Sequence, residues 1–200
     1  MVYCHFISEH YRIHFSDTFV ALLSCWAAYP QNMKKYDKQD QTLMATWAAD
    51  CAERVLPFFE KAYPKDDRPR KAIEACRTWV RTGVFKMADI RGASLAAHAA
   101  ARDAKENDPA CFAARAAGQA VATAHVPQHA FGGAYYALKA IAAADPAHAE
   151  VKVAKERNWQ AEHIPTKLRQ EVLKRVIVQK RDDEIFIKVQ KDKDLIKVQI

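Results

Sequence analysis

The chain has 200 residues, half of them apolar, 28% charged and only five glycine, with a formal net charge of +7. That length holds one domain with a sizeable core plus extensions, and a composition rich in alanine and poor in glycine and β-branched residues excludes a sheet-built fold in favour of helices. The positive excess sits in residues 64–83 and 151–200, where Lys and Arg alternate with Asp and Glu; such interleaving describes solvated faces and argues against a nucleic-acid patch.

Residues 1–32 are aromatic and histidine-rich, with one short helical pattern from Ser16 to Tyr29 that Pro30 ends. Met33 opens a polar, basic segment that reads as an ordinary N-terminus, so residues 1–32 read as an extension that is not native to the domain. No basic leader and small-residue cleavage site precede the apolar run at Phe19–Tyr29, and that run is shorter than the roughly 20 residues a membrane span needs.

The first strong helix is predicted from about Asp40 to Ala62, with Leu43, Trp47, Cys51, Val55 and Phe59 at four-residue steps. Pro57 should kink or break it, because the proline ring clashes with the carbonyl four residues back. Asp50 and Glu53 share another face. A loop through Asp66 leads to Asp67 as the expected N-cap, with Pro69 in the first turn of a second helix. There Ala72, Ile73, Cys76, Trp79 and Val80 form the apolar stripe, Arg70, Glu74, Arg77 and Arg81 the opposite face, and Gly83 the stop.

An alanine-rich helix from about Lys86 to Lys105 follows, and a further one from Asn107-Asp108-Pro109 to about Ala124. Alanine faces let helix axes approach closely, which places these helices at the centre. Pro127 is expected to start a helix through Phe131, Tyr135, Leu138 and Ala142, in which Gly132-Gly133 implies close approach of a neighbour. Asp145-Pro146 restarts the chain into a helix to about Gln160, and Pro165 opens a last one with Leu168, Val172, Leu173 and Val176 as its core face. Beyond Lys180, Glu184–Gln190 is echoed by Asp194–Gln199 in alternating, β-like text that reads as a hairpin, a helical extension or a disordered tail. The expected architecture is all-α: a single compact bundle of six to eight alanine-rich helices over residues 33–180, with a short β-hairpin or disordered charged tail over 181–200.

Chemistry-bearing groups are few. Cys4, Cys25, Cys51, Cys76 and Cys111 are widely spaced with no CxxC pair, which predicts reduced thiols and a cytoplasmic location. His125 and His129, with His98 as a third donor, are the weak candidate metal ligands, completed by Asp50 or Glu53; Pro127 interrupts the pair and the glutamate of the zinc-protease pattern is absent. Asp67, Arg68 and Arg70 read as a capped loop with an ion pair, joined to Asp50 or Glu53 in a salt-bridge network or presented as a recognition surface. No nucleophile elbow, phosphate loop or zinc ribbon occurs in the sequence.

Several blocks carry a family resemblance: Trp47-Ala48-Ala49-Asp50-Cys51-Ala52-Glu53-x-Val55-Leu56-Pro57, Asp67-Arg68-Pro69-Arg70-x-Ala72-Ile73-Glu74, and Ala120-Val121-Ala122-Thr123-Ala124-His125-Val126-x-x-His129-Ala130. With Glu156-Arg157-x-Trp159-Gln160 and Pro165-x-x-Leu168-Arg169, they resemble the immunity-five-like family of all-helical bacterial immunity proteins of polymorphic toxin systems. The resemblance covers about residues 41–178 and carries over no catalytic residue. It implies a non-catalytic protein that binds and neutralises a cognate protein toxin, with no cofactor, no nucleic acid and no membrane, and with homo-oligomers open. Two other readings stand beside it: a metal-dependent hydrolase using His125, His129 and a carboxylate, and a structural, self-associating helical module. The candidate functional cluster is Asp50, Glu53, Asp67, Arg68, Arg70, His125 and His129.

Overall fold

A computed structural model describes residues 36–181 and 184–190 of the chain. The helix expected over Ser16–Tyr29, the boundary at Met33 and the run Asp194–Gln199 lie outside these residues. The described residues form seven α-helices and one hairpin: α1 Lys38–Ala62, α2 Arg68–Thr82, α3 Met87–Asp103, α4 Asp108–Ala122, α5 His129–Ala144, a 3-10 turn Pro146–His148, α6 Ala149–His163, α7 Thr166–Arg175, β1 Val176–Arg181 and β2 Glu184–Val189. The all-α reading holds, with the short hairpin as its ending.

The bundle is built around α4. Asn107 caps it, its side chain accepting from the Ala110 amide at 3.2 Å, and Pro109 sits in the first turn, where no donor is needed. Eleven of its fifteen residues are buried, a burial that a two-sided amphipathic helix does not reach, because α1, α2, α3 and α5 all pack against it. Its alanines allow that enclosure. Where α1, α4 and α5 meet, a Cβ on Gly133 would lie 3.4 Å from the Ala48 Cβ and 3.7 Å from the Ala116 carbonyl oxygen, the close approach the double glycine predicts.

α1 carries the heavy side of the core. Met44, Trp47, Cys51, Val55 and Phe59 are buried along one stripe, each large side chain contributing roughly 1.5–3 kcal/mol of burial. Of the two outcomes expected at Pro57, a break does not occur, since the helix runs on through it to Ala62. Buried Leu56 and Phe59 hold the last turn, and Tyr63 caps it, donating its amide to Phe59 at 2.8 Å. Tertiary packing here outweighs the hydrogen bond lost at the ring. The N-terminus is set by Asp37, which accepts from the Asp40 amide at 2.7 Å.

α2 begins differently from the expectation. Asp67 occupies the N-cap position without a side-chain cap bond; Asp66 instead accepts from the Arg68 amide at 3.1 Å, and Asp67 pairs with Lys71. Gly83 ends α2 in the left-handed region at φ 68°, a conformation that costs glycine least. The buried Cys76 thiol donates to the carbonyls of Ala120 at 3.3 Å and Ala45 at 3.6 Å, tying α2 to α4 and α1.

α5 starts at His129, not at Pro127, because residues 123–128 turn between α4 and α5. α7 stops at Arg175, so Val176 belongs to a strand and not to the helix. β2 pairs antiparallel with β1, Val176 opposite Val189 and Val178 opposite Ile187, so the first alternating run finds its partner upstream of itself. Ile185, Ile187 and Val189 face the core while Phe186 and Lys188 face outward, the period of two expected of a half-buried strand. The Gln190 amide donates to the Arg175 carbonyl at 2.8 Å and closes the hairpin base.

Candidate functional site

The charged candidates lie along the edge where α1, α2 and α3 meet. Asp50 and Glu53, three residues apart on α1, face α2, and Arg77 reaches both, lying 2.9 Å from Asp50 and hydrogen-bonded to Glu53. Burial works against the Arg77 charge, and the two carboxylates outweigh it, raising its pKa. Arg68 forks onto Asp66 at 2.5–3.1 Å and reaches Asp103 of α3 at 2.7 Å. The Arg68 hydrogen bonds hold the Asp66 carboxyl below its usual range. Arg70 pairs with Glu60 at 2.6 Å and Asp67 with Lys71 at 2.9 Å.

The expected link from Asp50 or Glu53 to Arg68 or Arg70 is therefore made by another residue. α1 and α2 run antiparallel, which sets residue 70 beside residue 60 and residue 77 beside residues 50 and 53. Arg77, read from the sequence as a solvated position, is the true partner. These half-exposed pairs are short clamps worth about 0–1 kcal/mol each.

A second cluster joins α3, α4 and α5. Ser94 donates to the Gly118 carbonyl at 3.0 Å. The His98 ring packs over Gly118 so closely that a Cβ there would lie 3.0 Å from it, and Gln119 covers Gly132 in the same way, with its Oε1 2.8 Å from that glycine's Cβ position. His129 Nδ1 stands 2.7 Å from Gln119 Oε1. A carboxamide oxygen only accepts, so Nδ1 carries the proton and Nε2 keeps its lone pair. The His125 ring lies 5.1 Å from that of His129, and among the described residues its buried Nδ1 has no hydrogen-bond partner.

Burial first, then Arg115 and Arg102, pushes His98 down to about 4. Burial, then His125 and His98, pushes His129 down to about 4. His125 is lowered by burial and by Arg91. All three are neutral near pH 7 and near one another, yet among the described residues no three His, Cys, Asp or Glu side chains are placed to hold a metal ion. The charges acting on His98 and His125 are arginines, which oppose a bound cation.

The structure does not bring the acidic pair to the histidines. The α1 residue that reaches the α4–α5 connection is Gln41, donating to the Thr123 and Ala124 carbonyls at 2.9 and 3.0 Å. Asp50 lies about two and a half helical turns further along.

One cluster around a buried carboxylate was not legible as a site in the sequence. Glu156 of α6, 4% exposed, accepts three hydrogen bonds of 2.8–3.0 Å from Arg54 of α1. The guanidinium lies 3.9 Å above the Trp159 ring, with His163 stacked 4.1 Å from that ring on α6. Glu156, Trp159 and His163 follow helical spacing, which was the available signal; their partner on α1 was not. Arg54 and Glu156, with Phe58, Ile141, Asp145 and Lys155, border a shallow groove of about 340 Å³. Gln119 was missed as well, although it is the one long polar side chain buried among the alanines of α4.

Among the described residues no helix is long and apolar enough to cross a membrane. No curated protein and no solved structure matches the chain. A family model matches over residues 34–167, which takes in α1 to α6 and the start of α7. The quoted blocks at Trp47, Asp67, Ala120 and Glu156 fall inside that span and supply its α1 stripe, its α2 entry, the α4–α5 connection and the Arg54 clamp. On that match the chain belongs to the family described as Imm-5 like putative immunity protein.

Proposed function

We propose that the protein is a non-catalytic immunity protein that binds a cognate bacterial toxin in the cytoplasm and neutralises it by occluding it. The observation that carries this reading is the family match across residues 34–167. Occlusion, not chemistry, is supported by the state of the candidate residues. Asp50, Glu53, Asp67, Arg68 and Arg70 are each engaged by a partner within the bundle, so they brace the scaffold. His125 and His129 sit beside the α4–α5 turn as neutral rings. The buried free thiols of Cys51, Cys76 and Cys111 suit a reducing compartment. A net charge of +7 favours an acidic or neutral partner face.

Co-expression with the candidate toxin from the genes adjacent to this chain's own tests the proposal. Restored growth and a co-purifying complex are expected; unaltered toxicity with no complex rejects it.

A further inference from the structure

Among the described residues seven large apolar side chains are exposed; four of them, Val84, Phe85, Met87 and Leu95, belong to α3 and the connection before it, and Val126 to the α4–α5 connection. Single exposed hydrophobes are ordinary, whereas a concentration of them marks a surface that is covered in use.

The sequence of α3 sorts its side chains. Ile90, Ser94, Ala97 and Ala101 turn inward. Met87, Arg91, Leu95, His98 and Arg102, at steps of four, four, three and four, form the adjoining stripe. Met87 is 46% and Leu95 50% exposed, and Arg91 and Arg102 are exposed between and beyond them. The acids of α3 lie off this stripe: Asp89 is on the far flank, and Asp103 is turned toward Arg68 of α2. Arg91 is the cation that acts on His125, so the α4–α5 connection that carries His125 and Val126 lies within electrostatic reach of the stripe. Lys86 adds a further exposed cation at its start. Lys86, Arg91 and Arg102 make no ion pair among the described residues, in contrast to Arg54, Arg68, Arg70 and Arg77.

We propose that this stripe, Phe85, Met87, Arg91, Leu95 and Arg102 with Val126 nearby, is the docking surface for the partner, and that it fits an acidic protein face with apolar side chains between its carboxylates. Charge complementarity selects the occupant: two unpaired guanidinium groups on one line with no acid among them present forks for carboxylates. The apolar side chains between them supply the area that is removed from water. The proposal rests on the immunity reading, and locates where that binding occurs.

The test uses the full chain and the same candidate toxin. The wild-type complex is measured first. R91E/R102E and Leu95→Asp are then compared with K65E/K188E, which matches the charge change of R91E/R102E at exposed lysines elsewhere. A loss of affinity of about tenfold or more for the stripe variants, with helical circular dichroism retained and the control binding as wild type, is the expected result. The affinity of wild type should also fall with salt and that of R91E/R102E should not. If wild type binds and the stripe variants bind equally well, the docking surface is wrong and the immunity reading stands. If wild type forms no complex, the immunity reading fails and the docking proposal with it. A dimer of the free chain that Leu95→Asp converts to monomer would assign the stripe to a second copy. A photo-crosslinker at position 95 captured by residues 1–35 would assign it to the chain itself. Either result overturns the proposal.

Discussion

Arg54 and Glu156 are joined by three hydrogen bonds across α1 and α6, the carboxylate 4% exposed and the guanidinium 40% exposed. The asymmetry decides what each substitution does. Arg54→Ala leaves a buried carboxylate unpaired, and water entering from the exposed side offsets part of that cost, so a loss of about 2 kcal/mol in urea denaturation is expected. R54M/E156L replaces both charges by apolar groups and should recover most of it. Equal losses for the single and the double variant would show that the pair is not the determinant.

The buried histidines give the protein an acid limit. The folded pKa of His98 and of His129 lies near 4, below the ordinary value of about 6.5. The unfolded chain therefore binds more protons, and stability is fully present above pH 6.5 and falls as pH drops toward 4. Each histidine contributes roughly 3 kcal/mol to that fall when it is complete, and the two are linked because His98 acts on His129. Urea midpoints measured from pH 7.5 to 4.5 should decline, and the decline should shrink in His98→Asn. Imidazole resonances of His98 and His129 titrating near 6.5 in the folded protein would contradict it.

Three glycines give opposite outcomes when changed to alanine. Gly92 on α3 has open space where a Cβ would go, so Gly92→Ala should stabilise by up to about 1 kcal/mol through helix propensity. Gly118→Ala places its methyl 3.0 Å from the His98 ring, and the crowding, about 1–3 kcal/mol, should exceed the same gain. Gly132→Ala displaces Gln119 and with it the hydrogen bond to His129, which moves the His129 resonance even where the stability change is small. Thermal melts of the three variants check the order; a Gly118→Ala as stable as Gly92→Ala would show that the His98 contact is loose.

The described thiols should be inert in the folded state. Cys51, Cys76 and Cys111 are buried, and burial pushes Cys76 up to about 12 and raises Cys51. Peptide-resolved alkylation at pH 8 should modify none of the three until denaturant is added. Fast labelling of Cys76 in native buffer would mean that α2 separates readily from α1 and α4.

Periodicity made the helices legible, because an apolar stripe repeats along one element and needs no knowledge of its neighbour. The Trp47–Phe59 stripe and the central alanine helix are of this kind, and the Gly83 stop and the boundary at Asn107-Asp108-Pro109 were readable from residue type alone. What was not legible depends on how two elements meet. Arg77 looked like a solvent residue until α2 was laid antiparallel to α1. The Glu184–Val189 run could be read as β-like, but its partner Val176–Arg181 looked like the end of a helix. His129 showed as half of a histidine pair, whereas its hydrogen bond goes to Gln119, a residue that α4 delivers from another part of the chain. Of the site, residue types were readable and pairings were not.

The enclosure of α4 separates two kinds of change in this protein. A helix with eleven buried residues of fifteen offers almost nothing for a partner to read. Substitutions along it alter how tightly the outer helices close and leave the text they display unaltered. The outer face of α3 is free in the opposite sense, since its exposed positions can be rewritten with little effect on folding. The displayed surface can therefore drift while the axle on which the bundle is mounted stays as it is.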